Sequence, residues 1–120
     1  MANVSEVQIK GAVLIELECY QDDRGFFLET YQRKKYEELG LSIEFVQDNR
    51  SRSAKNVLRG MHYQVNHPQG HLVYVTSGVA FDVGLDLRKN SSTFKHWIGV
   101  TLSAENQQQL YLPPGVAHGF

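Results

Sequence analysis

Cysteine, long apolar runs and excess charge of either sign are what this sequence has least of. One cysteine, Cys19, among 120 residues cannot close an internal disulfide, which fits a reducing compartment. No apolar stretch approaches the ~20 residues needed to span a bilayer, and the opening MANVSEVQIK lacks the apolar core of a signal peptide. A net charge of −1 argues against an electrostatic grip on nucleic acid or on anionic membranes. There is no Walker-type glycine loop, no dinucleotide fingerprint, no CxxC pair and no serine in a nucleophile elbow. Cys19 has no histidine near it in sequence, so covalent catalysis and a nicotinamide cofactor fit poorly. The remaining composition, 42% apolar and 21% charged, is that of a single soluble globular domain. A chain of this size can build a core without metal or disulfide, and a cytoplasmic location is expected.

Short β-branched and apolar stretches recur between turn residues. GAVLIELECY (11–20), IEFVQDN (43–49), HLVYVTSG (71–78), VAFDVGLDLR (79–88), HWIGVTL (96–102) and QQLYLPPG (108–115) are predicted as strands. Along 79–87, Val79, Phe81, Val83, Leu85 and Leu87 fall on one face, and Ala80, Asp82, Gly84 and Asp86 on the other. In a sandwiched sheet that second face could line a cavity, whereas on an open sheet the two aspartates would meet solvent. Only TYQRKKYEELG (30–40) has a helical pattern, with Thr30 as N-cap and Gly40 as stop. Many short strands with one helix predict an all-β antiparallel sandwich or barrel over 1–120. The sequence stops at Ala117-His118-Gly119-Phe120, just after a Pro-Pro-Gly turn where a new strand should begin. That predicts a piece of a longer protein.

Five histidines are the first candidates for chemistry. His67, in His67-Pro68-Gln69-Gly70, is expected in an exposed loop, and His96 beside Trp97 is expected to be structural or exposed. His62 and His71 lie an odd number of residues apart, so on one uninterrupted strand they would face opposite ways. His62 has better company: Arg59 stands three residues before it in Leu58-Arg59-Gly60-Met61-His62. An imidazole can take a proton near neutrality, and a guanidinium offers a planar fork suited to phosphate. Two polar clusters interrupt apolar surroundings, Asp23-Arg24-Gly25-Phe26-Phe27-Leu28-Glu29 and Gln47-Asp48-Asn49. Turn chemistry explains both, with Phe26 and Phe27 expected in the core.

Taken in order, DRGFFLE (23–29), QDN (47–49), VLRGMHYQ (57–64), PQGHLVYV (68–75), GVAFDVGLDLR (78–88), LSAEN (102–106) and LYLPPGVAHGF (110–120) resemble the dTDP-4-dehydrorhamnose 3,5-epimerases. The resemblance implies a cupin-type antiparallel jelly-roll barrel, a homodimer, and epimerisation at C3 and/or C5 of dTDP-4-dehydro-6-deoxyglucose through an enolate. It implies His62 as the base and Arg24, Phe27, Glu29, Gln47, Asp48, Asn49, Arg59, His71 and His118 as substrate-binding residues. No cofactor is implied: where many cupins carry a His-x-His metal pair, this chain has His62-Tyr63-Gln64. The same departure sets it apart from the nucleotide-sugar 3,4-ketoisomerases, the competing enzyme class. Residue 71 is usually lysine in the resembled family, and here it is histidine. The family's acid, a tyrosine, falls beyond the AHGF segment, and none of Tyr20, Tyr31, Tyr36, Tyr63, Tyr74 or Tyr111 aligns with it. A catalytically idle nucleotide-sugar binding module is therefore the alternative from outside enzymology.

Overall fold

The computed structural model describes residues 3–41 and 43–120 of the chain. Among the described residues nine strands and one helix follow in order: β1 (Asn3–Glu6), β2 (Val13–Glu16), β3 (Cys19–Asp22), β4 (Gly25–Leu28), α1 (Arg33–Glu38), β5 (His71–Tyr74), β6 (Val79–Asp86), β7 (Trp97–Ser103), β8 (Gln108–Leu112) and β9 (Val116–Gly119). One sheet has the order β1-β2-β8-β5 and a second β7-β6-β9, while β3 and β4 form a separate hairpin. Every pairing is antiparallel. The all-β reading with one short helix holds, and no helix among the described residues is long and apolar enough to cross a membrane.

The core lies where the two sheets face each other. Leu110 and Leu112 of β8, Ile98 and Leu102 of β7 and Val116 of β9 close on Ile9 and Ala12, all buried. Removing each large aliphatic side chain from water contributes about 1.5–3 kcal/mol. The alternate residues of β8 point the other way, and Tyr111 joins Ile15, Tyr36 and Leu41 in a second cluster under α1. Gln109, also on that side and fully buried, accepts from Tyr36 Oη at 2.6 Å and donates to the Thr30 carbonyl at 2.8 Å. Burial, partly offset by Gln109, pushes the Tyr36 hydroxyl up to about 12.

The structure redraws several predicted elements. The stretch 11–20 is two strands, β2 and β3, because the chain leaves the four-stranded sheet at Leu17 and enters the hairpin. The stretch 43–49 forms no strand: it runs mostly exposed, with Ile43 and Phe45 half-buried against the second cluster. The helix is shorter than 30–40, and its N-cap is Gln32, whose side chain accepts from the Lys35 amide at 2.7 Å. Thr30 is taken up instead by Tyr36 and Gln109. Gly40 does end the helix: at φ +95 it donates to Glu37 O while Leu41 donates to Tyr36 O, a Schellman stop.

The alternation of β6 is real, and of the two faces left open by the sequence it is the one bearing the aspartates that turns inward. Its apolar residues Val79 and Phe81 are 68% and 56% exposed, whereas Asp82, Gly84 and Asp86 are buried against the opposite sheet. Asp86 is satisfied there by Arg88, Ser91 and Thr93. Arg88 also donates to Lys10 O, and Thr93 Oγ1 accepts from the Lys10 amide, so the network ties the N-terminal segment to the end of β6.

Candidate active site

His118 stands on β9 opposite Gly84 of β6, so its side chain shares the inner face with Asp82 and Asp86. Its Nε2 lies 2.6 Å from Asp82 Oδ1. The ring is flanked by two others, His71 and Phe120, each with its centroid at 5.7 Å. His71 arrives from β5 in the facing sheet, paired with Leu112. Burial, and next the neighbouring His118, push the His71 imidazole below its ordinary value against a weaker pull from Asp82.

His62 is brought to the same place by backbone pairing. The segment before it lies along the free edge of β9: Arg59 exchanges amide hydrogen bonds with Phe120 at 2.6 and 2.8 Å, and His62 with His118 at 2.9 Å in both directions. Directly opposed residues of an antiparallel pair point to one side, so His62 and His118 stand side by side on the inner face. The approach is close enough to demand glycine. Gly60 sits at φ +110, and a Cβ there would come within 2.6 Å of the Gly119 Cα. The parity argument that set His62 and His71 apart does not apply, because they occupy different sheets and meet across the sandwich through His118. The His62 imidazole is exposed and has no hydrogen-bond partner among the described residues.

Arg59 reaches back into the 50–57 segment, its Nε donating to Ser53 Oγ and an Nη to Arg52 O, both at 2.9 Å. Gln47, Asp48 and Asn49 are exposed in the strandless stretch, with Gln47 donating to Asn49 at 3.2 Å. Arg24 occupies the β3–β4 turn, bonded to Asp22 at 2.6 Å and otherwise exposed. Phe27 is 72% exposed and Phe26 60%, which corrects their expected place in the core: a two-stranded hairpin has no second layer to bury them. Glu29, just beyond β4, pairs with Lys35 at 2.9 Å. Thus His62, His71 and His118 converge, with Arg59 joined to the same seam through its backbone, while Arg24, Phe27, Glu29 and residues 47–49 stand on exposed surface. His67 is an exposed loop residue, and His96 is exposed.

Asp82 was open to either reading from the sequence, and its partnership with His118 was not legible there. The alternation along β6 marked its face, but a partner 36 residues away depends on which strands pair. Among the described residues no group of three or more His, Cys, Asp or Glu side chains is arranged to hold a metal ion.

A family model described as dTDP-4-dehydrorhamnose 3,5-epimerase matches residues 6–120. The chain is 50% identical to the dTDP-4-dehydrorhamnose 3,5-epimerase of Methanothermobacter thermautotrophicus over 115 residues, covering 96% of this chain and 62% of that one. It is 50% identical to the enzyme of the same name from Shigella flexneri over 120 residues, covering 98% of this chain and 66% of that one. The chain therefore spans somewhat less than two-thirds of the length of these relatives. Among solved structures, the 3,5-epimerase of Legionella pneumophila in complex with dTDP-4-keto-L-rhamnose superposes with a TM-score of 0.96 at 52% identity, covering all of this chain and 64% of that one. The Bacillus anthracis dTDP-4-dehydrorhamnose 3,5-epimerase with TDP and pyrophosphate bound gives 0.95 at 47% identity, covering all of this chain and 70% of that one.

Proposed function

The chain belongs to the dTDP-4-dehydrorhamnose 3,5-epimerase family, and from that membership we propose that it exchanges protons at C3 and/or C5 of dTDP-4-dehydro-6-deoxyglucose. The C4 carbonyl makes the neighbouring C–H bonds acidic, because the carbanion delocalises onto oxygen as an enolate. His62 takes the proton as general base, and hydrogen-bond donors at the C4 oxygen stabilise the charge that develops there. Returning a proton to the opposite face inverts the centre. This would be a step in making dTDP-L-rhamnose or a related deoxysugar. The observation that carries the reading is the seam between residues 59–62 and β9, which sets His62 and His118 together beside His71.

The nucleotide is assigned to the exposed groups: Arg59 and Arg24 for the diphosphate, Phe27, Glu29, Gln47, Asp48 and Asn49 for the rest, and His71 and His118 for the sugar. A guanidinium fork matches phosphate geometry, and an exposed aromatic ring offers a stacking face. A second copy of the chain is the proposed partner, covering the outward face of β6 and β7, where Val79, Phe81 and Trp97 are 68%, 56% and 62% exposed. The lone thiol of Cys19 supports a reducing, cytoplasmic setting.

Solvent-deuterium wash-in at C3 and C5 of dTDP-4-dehydro-6-deoxyglucose, followed by NMR, tests the proposal. Exchange at either carbon, lost in His62→Ala, is expected. Exchange that survives this change would remove His62 from the mechanism. A carbonyl that moves from C4 to C3 would instead identify a 3,4-ketoisomerase. The uncharged His71 favours one other reading, an idle nucleotide-sugar binding module, which would bind dTDP and leave the sugar undeuterated.

A further inference from the structure

One buried ion has no task in that scheme. Asp82 is 1% exposed on β6, near Asp86, which several donors satisfy. Asp82 is answered on one side only: Oδ1 meets His118, while Oδ2 is sealed from solvent and has no hydrogen-bond partner. A buried acceptor without a donor weakens a fold, so its presence calls for an explanation outside stability.

The donor inventory supplies one. A carboxylate has no hydrogen to give, so the hydrogen in the 2.6 Å contact sits on His118 Nε2. A neutral imidazole carries a single ring hydrogen, which leaves Nδ1 as a bare lone pair. The His118 side chain is 15% exposed, and Nδ1 has no partner among the described residues. With the His71 and Phe120 rings on either side, the imidazole cannot turn its other nitrogen outward without leaving Asp82.

We propose that Asp82 is a positioning residue that locks His118 in the Nε2–H tautomer, so that His118 meets its ligand through Nδ1 as a hydrogen-bond acceptor. The group it recognises is then a hydroxyl of the sugar, and the C4 oxygen must take its hydrogen bonds from elsewhere, with the N–H of His71, whose ring lies 5.7 Å from that of His118, a candidate. This rests on the reading of His118 as a sugar contact, but the tautomer itself does not.

Two measurements separate the claims. Long-range proton–nitrogen NMR of the unliganded chain at about pH 8.5, where a free imidazole is neutral, should show His118 with hydrogen on Nε2 and a bare Nδ1. Hydrogen on Nδ1 alone, or on both nitrogens, would overturn the proposal whatever the chain catalyses. Asp82→Leu removes the acceptor, and Asp82→Asn keeps a carbonyl oxygen that can face Nε2–H. The leucine variant should lose the single tautomer, and its wash-in rate should fall about tenfold or more while dTDP affinity stays within about twofold. The asparagine variant should restore both the tautomer and the rate. A leucine variant that keeps the Nε2–H form and the parental rate sinks the idea. If that variant does not fold, the parent spectrum still decides. If no form exchanges deuterium, the proposed function fails while the tautomer is still measured.

Discussion

Residue 71 offers one N–H and no charge at neutral pH, since burial and His118 both hold its imidazole below the ordinary value. An enolate oxygen facing it receives less stabilisation than from an ammonium. His71→Lys should therefore raise the wash-in rate about tenfold or more, measured against unchanged dTDP binding. The proposed base is a sharper case: His62→Ala should reduce exchange by about 10²-fold or more, because a positioned general base contributes on that order. The residues alone singled out His62 with Arg59 beside it, while His118 entered as a ligand contact only through the resemblance carried by the ordered motifs. Asp82 was not legible, because its function depends on a neighbour that only sheet pairing supplies. Phe26 and Phe27 misled for a simple reason: aromatic side chains are usually core, and nothing in the sequence says that β3 and β4 leave the main sheets.

At the scale of the element, β6 shows how far a pattern can be trusted. Period-two alternation located the strand and its two faces correctly. It could not say which face turns inward, because a sheet may bury a polar face when that face carries a site or a satisfied ion. The 43–49 stretch failed differently, since an apolar run followed by polar residues fits a strand as well as an extended segment packed under a helix. Gly60 governs the most demanding piece of geometry. Gly60→Ala places a Cβ against the Gly119 backbone at a positive φ. It should destabilise the fold by about 1–3 kcal/mol in denaturant titration and abolish exchange by displacing His62. Asp86 predicts a pH response. Although burial alone would raise it, Arg88, Thr93 and Ser91 hold its carboxyl well below the usual carboxylate range. Its contribution is thus present above the unfolded value and lost as pH falls from about 4. Asp86→Ala, which removes the carboxylate that pairs with Arg88, should cost about 3 kcal/mol and flatten the acid limb of a stability-against-pH curve.

For the whole molecule, the exposed Val79, Phe81 and Trp97 call for a cover. A lasting homodimer needs about 1,200–2,000 Å² of buried surface, with an apolar centre of this kind. Sedimentation should find a dimer, and Trp97→Glu should shift it to monomer without unfolding it; a monomer in the parent chain would overturn the assignment. One last consequence comes from the edge where Arg59 and His62 join β9. His62 is seated by a strand made far later in synthesis, so its geometry arises only when distant parts of the chain have met. Its protection against amide exchange should rise and fall with that of His118, the two opening as one cooperative unit. A side chain held this way shares the lifetime of the closed sheet and cannot loosen alone.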